Sequence, residues 1–326
     1  MSASYAIGKN GAAVTKGRRY VVYTMLGFAM PAPLAPSEQI AHSTVRIEVE
    51  TSDGKRGTGT GFFFGFANEG GKHVPAIVTN KHVVEGAVRG RFHLSTADTD
   101  GNPVYSAHEV FAFEGFQGFW ISHPEDDVDL CAMPIAPILE RANQGGKRLF
   151  FVQLEMSLVP SPDDLAKLTA MEDILMAGYP NGIWDEKNNM PVLRRGVTAT
   201  HPNLDWNGKP EFLIDAACFP GSSGSPVFLF NVGGYAAKTG GMVIGSRLKL
   251  LGVLYAGPQH TVEGEIRIVK VPTLDRPVAI ATIPNNLGIV VKARKLDAFE
   301  SLFRKKLGEE ANPNNGVQAT PASGRA

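Results

Sequence analysis

From Ser43 onward, apolar and polar positions alternate with the two-residue period of a strand. "STVRIEVET" is followed by "GTGTGFFFGF" and "VPAIVTNKHVV", rich in β-branched or aromatic side chains and separated by glycine-bearing turns. "GRFHLST", "EVFAFEGFQGFWISH" and "DLCAMPI" carry the pattern to about residue 138, which predicts one β unit of roughly 100 residues. A helical signal then interrupts it. In "LVPSPDDLAKLTAMEDI", Ser161 is placed as an N-cap, Pro162 takes the first helical position, and Asp163 and Asp164 sit at the positive end of the helix dipole. Strand patterns resume in "ILMAGYP", "VLRRGVTATH", "EFLIDAACF", "SPVFLF", "GMVIGSRLKLLGVLYAG" and "EIRIVKVPTL", cut by Gly, Pro and Asn. Near the end, Leu296, Phe299, Phe303 and Leu307 recur at helical spacing and predict an amphipathic terminal helix. Two β units, a connecting helix and a closing helix favour a pair of packed barrels over a sandwich, because a cleft between barrels lets distant residues converge.

The expected divisions are an arm at 1–40, a first barrel at 41–160, a second unit at 161–307 holding the connecting helix, the second barrel and the terminal helix, and a tail at 308–326. The tail, "GEEANPNNGVQATPASGRA", has no large apolar side chains with which to repay the entropy of ordering. In the arm, Lys16, Arg18 and Arg19 precede an apolar run from Tyr20 to Met30, interrupted by Thr24 and Gly27 and followed by Pro31, Pro33 and Pro36. Two readings stand: an extended arm on a cytoplasmic protein, or a weak signal sequence in residues 16–36 that would export it.

Composition narrows the function classes. The 326 residues carry 32 basic and 32 acidic side chains, so no field draws the chain to nucleic acid or an anionic membrane surface. Outside the arm no stretch approaches the 18 or so apolar residues of a membrane span. Glycine and proline number 36 and 22, spread without period, which suits short strands and many turns. Cys131 and Cys218 are too few for a disulfide framework, and no His or Cys cluster has metal-ligand spacing. No metal and no cofactor are expected. The glycines at 57, 59 and 61 precede neither Lys-Ser/Thr nor a helix, so a phosphate loop is not supported.

The sharpest chemical signal is "CFPGSSGSPVF", where Ser223 lies between Gly221 and Gly224 in a loop joining two strands. Read alone, it is also an ordinary Gly/Ser turn. Gly221 permits a backbone conformation in which the N–H groups of Gly221 and Ser223 point the same way, as an oxyanion hole requires. An unassisted serine is a poor nucleophile and needs a base. His82 closes "AIVTNKHVV" at a strand-to-loop edge, and Asp129 heads the apolar stretch "DLCAMPI", where an unpaired carboxylate would be costly. Asp127 shares strand parity with Asp129 and competes with it. Asp126 and Asp127 belong to an acidic run of the kind that usually faces water.

Together these segments resemble the trypsin-like, chymotrypsin-fold serine peptidases of bacterial type. "TNKHVV" is similar to that family's histidine segment, "DLCAM" to its aspartate strand and "PGSSGSPV" to its nucleophile loop, in the order His, Asp, Ser; "GVLYAG" resembles the strand that pairs with substrate. The resemblance covers roughly residues 43 to 305. It implies two packed six-stranded antiparallel β-barrels with a C-terminal helix, and a serine endopeptidase with His82, Asp129 and Ser223 catalytic and Gly221 and Ser223 forming the oxyanion hole. It further implies a substrate-binding wall of Ala217, six positions before the nucleophile, with Tyr255, Ala256 and Gly257. No carboxylate stands at Ala217, so small or medium apolar residues are expected before the scissile bond. Protein or peptide substrates are the implied partners.

Departures accompany the matches. Ser225 replaces the second glycine after the nucleophile, and Asn80 or Lys81 stands where an alanine is expected. With few residues after the last helix, a PDZ-type peptide-binding domain like that of many bacterial relatives is not expected. Ser222 occupies the place of an aspartate that receives a buried ammonium in digestive members, so order in this loop is expected from neutral hydrogen bonds or from a partner. The alternative function is a catalytically silent or partner-activated module, an adaptor or effector in a bacterial stress or defence system. Retention of all three triad residues favours the enzyme.

Overall fold

The computed structural model describes residues 23–24, 34–69, 72–257, 259–262, 281–284 and 286–311. The signal-like run of the arm, the predicted strand "EIRIVKVPTL" and the end of the tail lie mainly or wholly outside these residues.

The first unit is one nine-stranded sheet. Its strands are β1 (Tyr23–Thr24), β2 (Thr44–Thr51), β3 (Arg56–Glu69), β4 (Lys72–Thr79), β5 (Ala87–Ala97), β6 (Pro103–Glu114), β7 (Ile121–Ser122), β8 (Cys131–Pro134) and β9 (Leu154–Glu155). They run in the order β6-β5-β2-β3-β4-β8-β7, with β1 added to β4 and β9 laid parallel to β3. The alternation read from the sequence is the burial pattern: Val45 and Ile47 of β2 and Phe92 and Leu94 of β5 all face one core.

The second unit closes as a six-stranded barrel. Strands β10 (Asp173–Gly178), β11 (Val192–Thr198), β12 (Glu211–Asp215), β13 (Pro226–Asn231), β16 (Arg247–Ala256) and β19 (Leu287–Lys292) join in the order β10-β11-β12-β19-β16-β13. Two ribbons stand apart from it, β14 (Gly234–Ala236) with β15 (Met242–Ile244), and β17 (Gln259–Val262) with β18 (Ala281–Pro284). The mostly β architecture with its closing helix is as expected; the first unit has nine strands rather than six.

Five α-helices occur among the described residues: α1 (Pro36–His42), α2 (Lys81–Val84), α3 (Ala136–Gln144), α4 (Pro162–Ala166) and α5 (Asp297–Ala311). The connecting helix is α4, and Ser161 caps it as read from the sequence, its hydroxyl accepting from the Asp164 N–H at 3.1 Å. The terminal helix is α5, which runs four residues past the expected start of the tail. α1 and α3 were not anticipated. Both start with proline in the first turn and lack a capping side chain at the N-cap.

One core is shared by the two units. Phe62, Phe64 and Phe66 of β3 pack in the same cluster as Phe228 of β13, Leu250 and Val253 of β16, Val291 of β19, and Phe299 and Phe303 of α5. The Phe66 and Phe303 ring centroids lie 5.2 Å apart. This joint core fixes the first sheet against the barrel.

Candidate active site

Strand pairing assembles the first half of the site. β4 and β8 are antiparallel with Thr79 opposite Cys131, so the chain just after β4 and the chain just before β8 leave the sheet at the same end. His82, in the single turn of α2, and Asp129, ahead of β8, meet there. His82 Nδ1 and Asp129 Oδ2 are 2.5 Å apart, and the His82 backbone N–H donates to Asp129 Oδ1 at 3.2 Å. Asn80 Nδ2 donates to the Asp129 carbonyl at 2.7 Å and steadies the loop that carries the carboxylate.

Asp129 is mostly covered while His82 is about half exposed. Burial alone would raise the Asp129 pKa, but the hydrogen bond and charge of His82, with backbone N–H donors, bring it below the ordinary value. The carboxylate therefore stays ionised and accepts Nδ1–H, which leaves Nε2 as the basic nitrogen. Asp126 and Asp127 are exposed, and no hydrogen bond joins either carboxylate to His82.

The second half is the loop between β12 and β13. Gly221 and Gly224 both have φ +88°, a region open to glycine, and neither tolerates a Cβ: one at Gly221 would lie 2.5 Å from the Tyr179 carbonyl oxygen, and one at Gly224 would lie 1.8 Å from that of Thr60. Ser222 and Ser225 are buried, and the backbone hydrogen bonds around them are neutral. Ser222 N–H donates to Phe219 O, Gly224 N–H to Leu254 O and Ser225 N–H to Ser222 O.

The Asn181 N–H donates to the Pro220 carbonyl at 2.5 Å. In a planar trans peptide the N–H points opposite to the C=O, so this bond turns the Gly221 N–H away from Asn181. Among the described residues neither Gly221 N–H nor Ser223 N–H donates to a protein acceptor. The Ser223 hydroxyl donates to the Tyr255 carbonyl at 3.4 Å rather than to His82.

Thr60, on β3, links the two halves and was not marked in the sequence. Fully buried, it donates Oγ1–H to the Gly221 carbonyl at 2.9 Å and accepts there from the Tyr179 N–H at 3.1 Å. Its backbone N–H donates to the Ser223 carbonyl at 2.9 Å, and its carbonyl accepts from Thr79 Oγ1 at 2.6 Å. A threonine in a Gly-Thr repeat reads as strand filler; only the fold shows it between the histidine strand and the serine loop.

The expected substrate wall divides. Ala217 and Gly257 flank Cys218, and a Cβ at Gly257 would approach Cys218 Cβ to 3.8 Å. Ala256 pairs with Ile289 within the barrel. Tyr255 offers its carbonyl to Ser223, while its ring packs on the shared core and its hydroxyl donates to the buried Glu211 at 3.0 Å. Burial and Glu211 both push the Tyr255 hydroxyl pKa up. The cysteines are buried, and burial pushes the Cys218 thiol up to about 11, so neither is a ready nucleophile. No group of three metal-ligating side chains occurs among the described residues, and no helix among them is long and apolar enough to cross a membrane.

Residues 59–234 match the family model described as a trypsin-like peptidase domain. No curated protein matches the chain. Among solved structures it is similar to "HtrA-type protease AlgW with tripeptide", at 14% identity and a TM-score of 0.41, over 82% of this chain and 62% of that one. The serine endoprotease from Yersinia pestis aligns at 13% identity and a TM-score of 0.39, over 87% of this chain and 69% of that one. Deg5 aligns at 20% identity and a TM-score of 0.37, over 67% of this chain and 81% of that one. The chain thus spans about three fifths of the AlgW length, 62%.

Proposed function

Because this chain belongs to the trypsin-like peptidase domain family, we propose that it is a serine endopeptidase acting through His82, Asp129 and Ser223. What supports the reading is an Asp-oriented imidazole just after Thr79, whose hydroxyl donates to the Thr60 carbonyl while the Thr60 N–H holds the carbonyl of Ser223, a serine whose loop presents two N–H groups that have no described protein acceptor. Asp129 holds Nδ1–H, so His82 Nε2 takes the Ser223 proton as Oγ attacks the carbonyl carbon of a peptide bond. The resulting oxyanion lies on the Gly221 and Ser223 N–H groups, each worth on the order of 3 kcal/mol in the transition state. His82 returns the proton to the leaving amine, and water repeats the sequence on the acyl-enzyme.

In the resting arrangement the Ser223 hydroxyl is turned to Tyr255 O, so on this reading it leaves that carbonyl and turns toward His82 for proton transfer. That same hydrogen bond favours a second reading, a module whose productive rotamer is set by a partner protein. Peptide hydrolysis by the isolated chain separates the two.

With a denatured protein as substrate, Ser223→Ala should lower kcat by about 10⁴-fold or more, and Asp129→Asn should cost far more than Asp127→Asn. Cleavage by the Ser223 variant at the parent rate would remove the assignment. Equal losses in the two aspartate variants would remove Asp129 from its role.

A further inference from the structure

Arg194 is a residue the sequence reading did not weigh. It lies on β11, which pairs with β12 through Val197 opposite Asp215 and Thr198 opposite Ile214. Two residues on from Arg194 along the same face, Gly196 is so close to the end of β12 that a Cβ there would meet Ala216 Cβ at 2.8 Å. That face therefore looks onto the segment running from Ala216 into the serine loop. Along it Arg194 extends, donating Nη1–H to the Ala217 carbonyl and laying its guanidinium over the Phe219 ring at 4.9 Å from the centroid.

Arg194 is half-buried, yet no carboxylate among the described residues forms an ion pair with it. Other arginines of the barrel show the contrast: Arg195 pairs with Asp173, and Arg247 with Glu172. One carbonyl and one aromatic face leave further N–H donors of the planar fork unused, and partial desolvation of a cation favours an anionic partner. The guanidinium stands beside Ala217 and Phe219, in the segment that leads directly into Gly221 and Ser223. Gly257, close to Cys218, is exposed and adds no side chain there.

We infer, resting on the peptidase reading above, that Arg194 makes this site select an acidic side chain, Glu or Asp, on the residue whose carbonyl Ser223 attacks. With that carbonyl oxygen on the N–H groups of Gly221 and Ser223, the side chain of the same residue lies over the 217–219 segment, and its carboxylate meets the open edge of the guanidinium. This replaces the small apolar preference expected from Ala217 alone, because a charge supplied from the neighbouring strand stands where the sequence offered none.

The test is a pair of peptides identical except for Glu or Gln before the scissile bond, with Leu in a third. The parent chain should cleave the Glu peptide with kcat/KM at least about tenfold above the Gln peptide, and the ratio should shrink as salt is raised. Arg194→Gln should bring the ratio to about one, and Arg194→Lys should leave it intermediate because the ammonium keeps charge but loses the fork. Equal cleavage of Glu and Gln by the parent chain, or a preference for Leu, would overturn the role of Arg194 while leaving the peptidase reading intact. Labelling of Ser223 by a fluorophosphonate without cleavage of the Glu peptide would overturn it as well. Failure of both labelling and cleavage would bring down the peptidase reading and this inference with it.

Discussion

Thr60 is the residue whose importance is least visible in the chain and most visible in the fold. Its hydroxyl satisfies a carbonyl and an N–H from two different loops, and its backbone holds the carbonyl of Ser223, the proposed nucleophile. Thr60→Val keeps the shape and removes the hydroxyl, leaving the Gly221 carbonyl and Tyr179 N–H without this partner at a cost of about 1–3 kcal/mol. The expected outcome is a fall in kcat with little change in KM, because the loss falls on the geometry around the oxyanion. Thr60→Ser should restore most of the rate. Parent kcat in the valine variant would show that the loop is held without Thr60. The catalytic candidates, by contrast, were legible from sequence because each carries a local signature: glycines around Ser223, a strand end before His82, an apolar run headed by Asp129. Thr60 and Arg194 carry none. Their roles come from partners far along the chain, which one-dimensional spacing does not encode.

At the scale of elements, helices with conventional punctuation were readable and the others were not. α4 has Ser161, Pro162 and two aspartates at its start; α5 has a four-residue apolar repeat. α3 begins after Ile135, with no side chain to cap it, and is held by burial of Ala136, Ile138 and Ala142. Tertiary packing decided it. The burial of α5 also sets its contribution. Phe303 is fully buried and meets Phe66 across the two units, so Phe303→Ala should cost about 3–5 kcal/mol. A shift in the urea midpoint of that size is expected; a loss below about 1 kcal/mol would mean that the helix is not part of the cooperative core.

For the whole molecule, the loop that carries Asn181 is clamped to the first sheet. Trp184 packs against His93 at 4.9 Å between ring centroids and under the Arg46 guanidinium at 5.0 Å. Asn189 Nδ2 donates to the His93 carbonyl at 3.1 Å. Burial, with the charges of Arg91 and Arg46, lowers the His93 pKa to about 4 against an ordinary 6.5. As pH falls below about 6.5 the unfolded chain binds a proton that the folded chain refuses, so stability drops until about pH 4, by about 3 kcal/mol at most for this group. His42, His73, His108 and His123 are lowered by burial in the same direction. Urea midpoints should therefore fall steadily between pH 7.5 and pH 4.5, and His93→Phe, which keeps the ring and cannot titrate, should flatten the slope. A midpoint constant across that range would contradict the burial of these imidazoles in a neutral state.

The central claim is that Ser223 is a nucleophile activated by His82 in the isolated chain, and the most direct measurement is covalent labelling by a fluorophosphonate followed by mapping of the modified peptide. Attack by Oγ on phosphorus with loss of fluoride should leave the adduct on Ser223, and labelling should collapse in His82→Ala while the fold persists. An adduct on another residue, or labelling of Ser223 at the same rate without His82, would contradict the account.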